Sequence, residues 1–376
     1  MHKVIHSVSI KAAMAKRGWS QEQLAKTIGE SPQVVSSWFQ GKHFPRPDKL
    51  LKLARVLQLG FDQLVMPEAN QPVIAFRKKA GAKTTDDHVA RAMVMGSLLK
   101  PLVLYLPQRW ALHTLLPNPS TEYSLLQNAV AQVRARLGLG AQAVLGYGHL
   151  ISEFKNNDAL LVPVLWGAKQ NHKNALHILL PADKVTFVYL NLDTHLEDFK
   201  FWMAHELAHV YTSDQAGTEE GEDFADAFAG ALLFPQACAE IAYAQAQGLT
   251  AGRAINVLMG SAAKYEISLY TVFMQVQLFA KAKGLAALPL TATQIHAVRN
   301  SQRGELVSES LFKPQAPRAD DVIAIAEKVF DSDFFNALRQ MLMERGTQAG
   351  YVQQILDISL PDAVAVRRAL VGAPVS

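Results

Sequence analysis

The chain has 376 residues, 49% hydrophobic and 19% charged, with 22 glycines and 17 prolines; this globular composition has room for two or three domains and excludes disorder over most of its length. Its single cysteine, Cys238, excludes an intramolecular disulfide and any cysteine-based metal cluster, as expected in a reducing compartment. The opening 20 residues carry no signal-peptide pattern, and the most apolar window, residues 94–106, holds Lys100 and Pro101 and falls short of the roughly 20 residues that a membrane span needs. A cytoplasmic protein without a membrane segment is expected.

Charge is unevenly spread. Ten Lys and Arg against four acids give residues 1–64 a net +6, which leaves −2 for the remainder of a chain whose total is +4. A small basic domain on a near-neutral body points to a polyanion partner for the first domain alone. Residues 10–64 read as five short helices. The first, residues 10–17, stops at Gly18, and Ser20 with Gln23 makes a capping box for the second. Gly29-Glu30 makes the turn, Ser31 caps the third, and Pro32 takes its first helical position, where the missing N–H costs nothing. Val34, Val35 and Trp38 supply its buried face, Gly41 ends it, and residues 47–57 and 61–65 close the bundle.

The stretch from Trp19 to Leu64, with Ser-Gln before one helix, Leu-Ala inside it and glycines at the turn and after the next helix, resembles the lambda-repressor-like, or XRE-type, helix-turn-helix family. The resemblance implies a recognition helix in the major groove of double-stranded operator DNA, bound as a dimer on a two-fold site. It assigns Gln33, Ser36 and Ser37 to bases and Gln21 and Lys42 to phosphates. Pro32 stands where the family often has a polar reader, so one base contact is missing. The bland alternative, a protein-interaction bundle, does not account for the excess positive charge.

Residues 71–87 are basic and short of large apolar side chains and read as an exposed linker, with Lys78, Lys79 and Lys83 as further phosphate contacts if they reach DNA. Helices are expected over residues 88–99 and 123–137, with Pro107, Pro117 and Pro119 breaking the path between.

The segment "FKFWMAHELAHVYTSD", residues 199–214, places His205 and His209 four residues apart. On a helix both imidazoles share one face and reach one ion, with Trp202 at the near end, while Met203, Leu207 and Val210 turn to the core. Zinc suits imidazole nitrogen. Glu206, beside them, could take a proton from a water that the ion holds for attack on a peptide carbonyl. Ten residues after His209, "EEGEDFADAFAGALLFP" begins and offers a third ligand on a second helix. Glu222 is favoured over Glu219, Glu220 and Asp223, because only it has Asp226 one turn on, where a carboxylate can fix the tautomer of a ligand histidine. Ala225 and Ala229 allow the two helices to approach. A solvated acidic helix start would explain the acids but not the histidines.

"AHELAH" at residues 204–209 and "EDFADAFAGALLFP" at 222–235 together resemble the ImmA/IrrE family of zinc metallopeptidases, with Asp226 and Phe234 in place of the family's Asn and Met. Residues 125–141 look like that family's first helix and residues 177–192 like its strand pair. The resemblance implies zinc held by His205, His209 and Glu222, with Glu206 as the catalytic base and Asp226 behind. A hydrogen-bond donor for the transition state is sought among Tyr211, Tyr189 and His172.

The expected fold is mainly α with a small β-sheet. A five-helix helix-turn-helix bundle (1–66) leads through a linker and connecting helices (67–120) to a zincin-like, ImmA/IrrE-like metallopeptidase domain (121–262). A helical C-terminal region (263–376) follows, with residues 261–284 packing on the core and helices over 320–330, 334–344 and 361–371. Cys238 is expected to be a buried small hydrophobe. The expected function is a DNA-binding regulator whose zinc peptidase cleaves a small helix-turn-helix repressor or other partner in a stress or mobile-element response. The alternative is a non-proteolytic repressor or antitoxin, paired with a toxin, whose zinc domain is a sensor or partner-binding body.

Overall fold

The structure, a computed structural model, describes residues 3–40, 42–67, 71–75, 86–107, 115–116, 118–167, 175–301, 304–313 and 316–372. Gly41, Lys78, Lys79, Lys83 and His172 lie outside the described residues.

The N-terminal bundle consists of α1 (Ser7–Lys16), α2 (Gln21–Ile28), α3 (Pro32–Phe39), α4 (Pro47–Leu57) and α5 (Phe61–Leu64). Its ends are decided locally. Ser20 accepts from the Gln23 backbone N–H while the Gln23 side chain accepts from the Ser20 N–H, which closes the capping box. Gly29 ends α2 in the left-handed conformation, at φ +71°, where glycine carries no Cβ penalty. The Ser31 hydroxyl accepts from Val34 N–H at 3.2 Å. Ile10, Leu24, Ala25, Ile28, Val35, Trp38, Leu53, Leu57 and Leu64 form a core of their own. A feature that the sequence did not announce is a short antiparallel ladder between β1 (Lys3–Ile5) and β2 (Val65–Pro67), which pins the two ends of the bundle side by side.

The body is built on a four-stranded sheet in the order β3-β5-β6-β4, comprising β3 (Val73–Ala75), β4 (Ala159–Val164), β5 (Ala175–Leu180) and β6 (Val185–Asn191). The last three are nearly continuous apolar runs, as strands buried on both faces must be. β4 and β6 are parallel; β5 is antiparallel to β6, and β3 to β5. The strand pair expected over residues 177–192 is the β5–β6 hairpin. The linker reading needs correction at its start: residues 73–75 are not exposed connection but an edge strand, with Ala75 2% exposed.

One face of the sheet is covered by α6 (Asp86–Leu99), the 3-10 helix Lys100–Tyr105, and the C-terminal helices α16 (Ala319–Lys328), α17 (Phe334–Arg345), α18 (Ala349–Leu356) and α19 (Leu360–Val371). The other face is covered by α7 (Tyr123–Arg136), α8 (Tyr147–Asn156), α9 (Leu196–Tyr211), α10 (Glu219–Leu233), α11 (Gln236–Ala246), α12 (Ala251–Tyr265) and α13 (Leu269–Ala282), with α14 (Ala292–Ser301) and α15 (Val307–Phe312) at its margin. The segment 261–284 packs on this core as expected. Cys238 is buried, its Sγ 3.2 Å from Tyr265 Oη. Among the described residues no single helix is long and apolar enough to cross a membrane.

Candidate metal centre

α9 and α10 lie side by side because the residues between them are small: Ala204, Ala208, Ala225 and Ala229 are all fully buried. Met203, Leu207 and Val210 turn into the core as expected. The close approach brings three side chains to one point. His205 Nε2 and His209 Nε2 are 3.2 Å apart; Glu222 Oε2 is 3.5 Å from the first and Glu222 Oε1 3.3 Å from the second. Glu219, Glu220 and Asp223 are exposed and are not among the groups that meet at this point. Asp226 Oδ1 is 2.9 Å from His205 Nδ1, so the Nδ1 proton is held there and the Nε2 lone pair points at His209 and Glu222. Trp202 stacks edge-on to His205 with ring centroids 5.9 Å apart.

A metal ion fits this arrangement. Two imidazole nitrogens about 2.1 Å from a tetrahedral ion stand roughly 3.3 Å apart, close to the separation seen. Both Glu222 carboxylate oxygens are buried without a hydrogen bond among the described residues, as are His209 Nδ1 and Glu206 Oε2. Buried polar atoms are almost always satisfied, and a cation between the three groups satisfies the carboxylate and both imidazoles together. Glu222 is the least buried of the three ligand candidates, at 9% exposure, and the Asp226 side chain behind His205 is 40% exposed.

The electrostatics fit the same reading. Burial alone would depress His205, but Asp226, Glu222 and Glu206 outweigh it and raise its pKa to about 9. Burial likewise opposes ionisation of Glu222, yet the two histidines hold it down at about 2. Without a metal the cluster therefore keeps a proton on His205, which a metal must replace. Glu206, buried and outside the trio, is pushed up by desolvation to about 7 against the pull of His205 and His209, the range in which a carboxylate both accepts and returns a proton.

Two of the expected transition-state donors are not at the site. Tyr211 leaves the ligand face and donates to Glu153 Oε1 at 2.7 Å, a carboxylate that the exposed Arg136 also meets. Tyr189 faces the other side of the sheet and donates to Ile355 O at 2.7 Å. The residue that sequence reasoning missed is His177, wholly buried on β5, with Nδ1 3.6 Å from Glu206 Oε2 and its ring centroid 5.5 Å from that of His209. Burial depresses its pKa to about 4, so it sits there as a neutral imidazole. The signal was a lone histidine in the apolar run "ALHILL", legible only once α9 is known to pack beneath that strand.

In the N-terminal bundle Gln33 is exposed on α3, while Ser36 and Ser37 are half-buried. The Ser37 hydroxyl donates to Val34 O and the Ser36 hydroxyl accepts from Gln40 Nε2. Gln21 Nε2 donates to Pro32 O at 3.1 Å, tying α2 to the start of α3. Lys42 is exposed, and its backbone N–H closes on Ser37 O.

Comparison with known families divides the chain along the same lines. Residues 10–64 match the family described as helix-turn-helix, and residues 168–269 match a peptidase family described as the IrrE N-terminal-like domain. No curated protein and no solved structure matches the chain. The two matches, with the His-His-Glu cluster, support a DNA-binding regulator that carries a metallopeptidase-like domain.

Proposed function

We propose that this protein is a cytoplasmic, operator-bound zinc peptidase that cuts a partner protein, a small helix-turn-helix repressor being the favoured class. The observation that carries this reading is the division of labour around the cluster: His205, His209 and Glu222 converge on one point while Glu206 stands beside them, uncommitted to the trio and with Oε2 lacking a hydrogen bond among the described residues. A binding body needs the first three groups and has no use for the fourth.

Zinc held by the trio would polarise a water and the scissile carbonyl. Glu206 is placed to take the proton of the attacking water and deliver it to the leaving amine, and its raised pKa suits both transfers at neutral pH. Asp226 orients His205, and His177 closes the site around Glu206 on the side of the sheet. The basic bundle would hold the enzyme on DNA through Gln33, Ser36 and Ser37 with Gln21 and Lys42 on the backbone, as a dimer on a two-fold site, so that cleavage acts where the partner is bound.

Incubating the zinc-loaded protein and its Glu206→Gln variant with a proteome-derived peptide mixture and mapping new termini by mass spectrometry tests the reading. New termini with the wild type and none with the variant, at equal zinc content, are expected. No cleavage by either would sink the peptidase and leave a repressor or antitoxin with a metal-holding body.

A further inference from the structure

β3 is three residues long and follows the N-terminal bundle in the chain, yet it is seated in a slot that two other elements leave open. A Cβ on Gly96, in the middle of α6, would lie 2.5 Å from Pro72 Cβ and 3.0 Å from Ile178 Cγ2. A Cβ on Gly217, in the α9–α10 connection, would lie 2.8 Å from Ile74 O. Glycines on opposite sides thus clear the backbone path of residues 72–74. The register pairs Val73 with Leu179, Ile74 with Ile178 and Ala75 with His177. Ile74 packs toward the α6 face. Alternation then turns Val73 and Ala75 toward the α9 face, the face from which His177 meets Glu206. The slot therefore accepts an extended backbone whose residue opposite His177 is small, and it ends beside the histidine that meets Glu206.

Extended peptides bind proteins by adding a strand to a free sheet edge. From these placements we infer that the β5 edge is the peptide-binding register of the metal centre and that Val73–Ala75 is an intramolecular occupant of it. An extended segment of a partner protein, with alanine, glycine or serine opposite His177, binds by replacing β3. The identification of that segment as substrate rests on the peptidase reading; the replacement itself does not. Three residue pairs are a short ladder to displace. The seat asks for an apolar side chain on the α6 face, where Ile74 packs, and a small one opposite His177, and a foreign segment that meets both can use it.

The test is binding of a fluorescent peptide copying residues 70–77 to the full chain, with and without zinc. Wild type is compared with Gly96→Ala, which crowds Pro72 out, and Ile74→Pro, which removes a strand N–H. Both variants are expected to bind at least ten-fold tighter than the wild type, and a peptide carrying Trp in place of Ala75 is expected to lose that gain. Folded variants that bind no tighter than the wild type would overturn the inference. Should neither variant fold, hydrogen exchange on the wild type decides: saturating peptide must speed exchange at residues 73–75, and unchanged exchange is the refuting result. Binding needs neither zinc nor Glu206, so peptide binding without cleavage would sink the peptidase and keep the register, while cleavage without such binding would do the reverse.

Discussion

On one face of the central sheet, Leu160, Val162, Ile178, Phe187 and Tyr189 meet α6 and α16 to α19 in an apolar layer. Its polar tips are satisfied: Tyr189 Oη donates to Ile355 O and Trp166 Nε1 to Leu356 O. On the other face Ala159, Leu161, Val188 and Leu190 meet α9 and its neighbours in a layer equally dry. There, however, His177, Glu206, His209 and Glu222 keep buried atoms without hydrogen bonds among the described residues. A buried polar atom that is paired stabilises the fold, and one that is not costs about 1–3 kcal/mol unless a ligand completes it. The same strands thus carry stability on one side and a binding capacity on the other, and the two should separate under mutation.

The largest separation is expected at the ligands. His205→Ala and Glu222→Ala should take zinc from near one per chain to near none, measured by elemental analysis. The metal-free melting temperature should fall by a few degrees without loss of the fold, because each variant removes one partner of the buried His205–Glu222 pair. A collapse of the metal-free fold would break the comparison. The converse lies across the sheet at Phe334, fully buried and edge-on to Phe187 and Phe335. Phe334→Ala should cost about 3–5 kcal/mol in denaturant unfolding and leave the zinc content of the folded protein unchanged.

Asp226→Asn should weaken zinc binding by about 10–100-fold in a chelator competition, because His205 loses the carboxylate that fixes its tautomer. The dependence on pH is of similar size. The metal must expel the proton that Asp226 and Glu222 hold on His205, raised to about 9. Apparent zinc affinity should therefore rise with pH, about ten-fold per unit where one proton leaves, from pH 7 and flatten near pH 9. A flat profile from pH 7 upward would mean that His205 is already free of its proton.

How much of this could be read beforehand follows from the range of the interactions. His205, Glu206 and His209 were legible because helix geometry fixes their relation over four residues, and Glu222 because Asp226 stands one turn beyond it. Caps such as Ser20 and Ser31 are equally local. Tyr211 was misjudged on the same geometry: two residues past His209, it points to the opposite side of α9. His177 was not legible, because its partner Glu206 is 29 residues away on another element, and only the packing of α9 beneath β5 joins them. β3 was hidden for a similar reason. Three apolar residues after a proline carry no periodic signal, and the edge they complete is formed by a strand about a hundred residues later.

The pairing of β1 with β2 makes the N-terminal bundle a closed loop whose entrance and exit coincide, with Lys3 opposite Pro67. In the chain, only residues 68–72 separate that loop from Val73. Tension from the DNA side would then peel the β3 ladder like a zip with three teeth. The pair farthest from the metal centre, Val73 with Leu179, opens first, and Ala75 with His177 opens last. A weak tug spends itself on the outer pairs, and only a sustained one reaches the histidine.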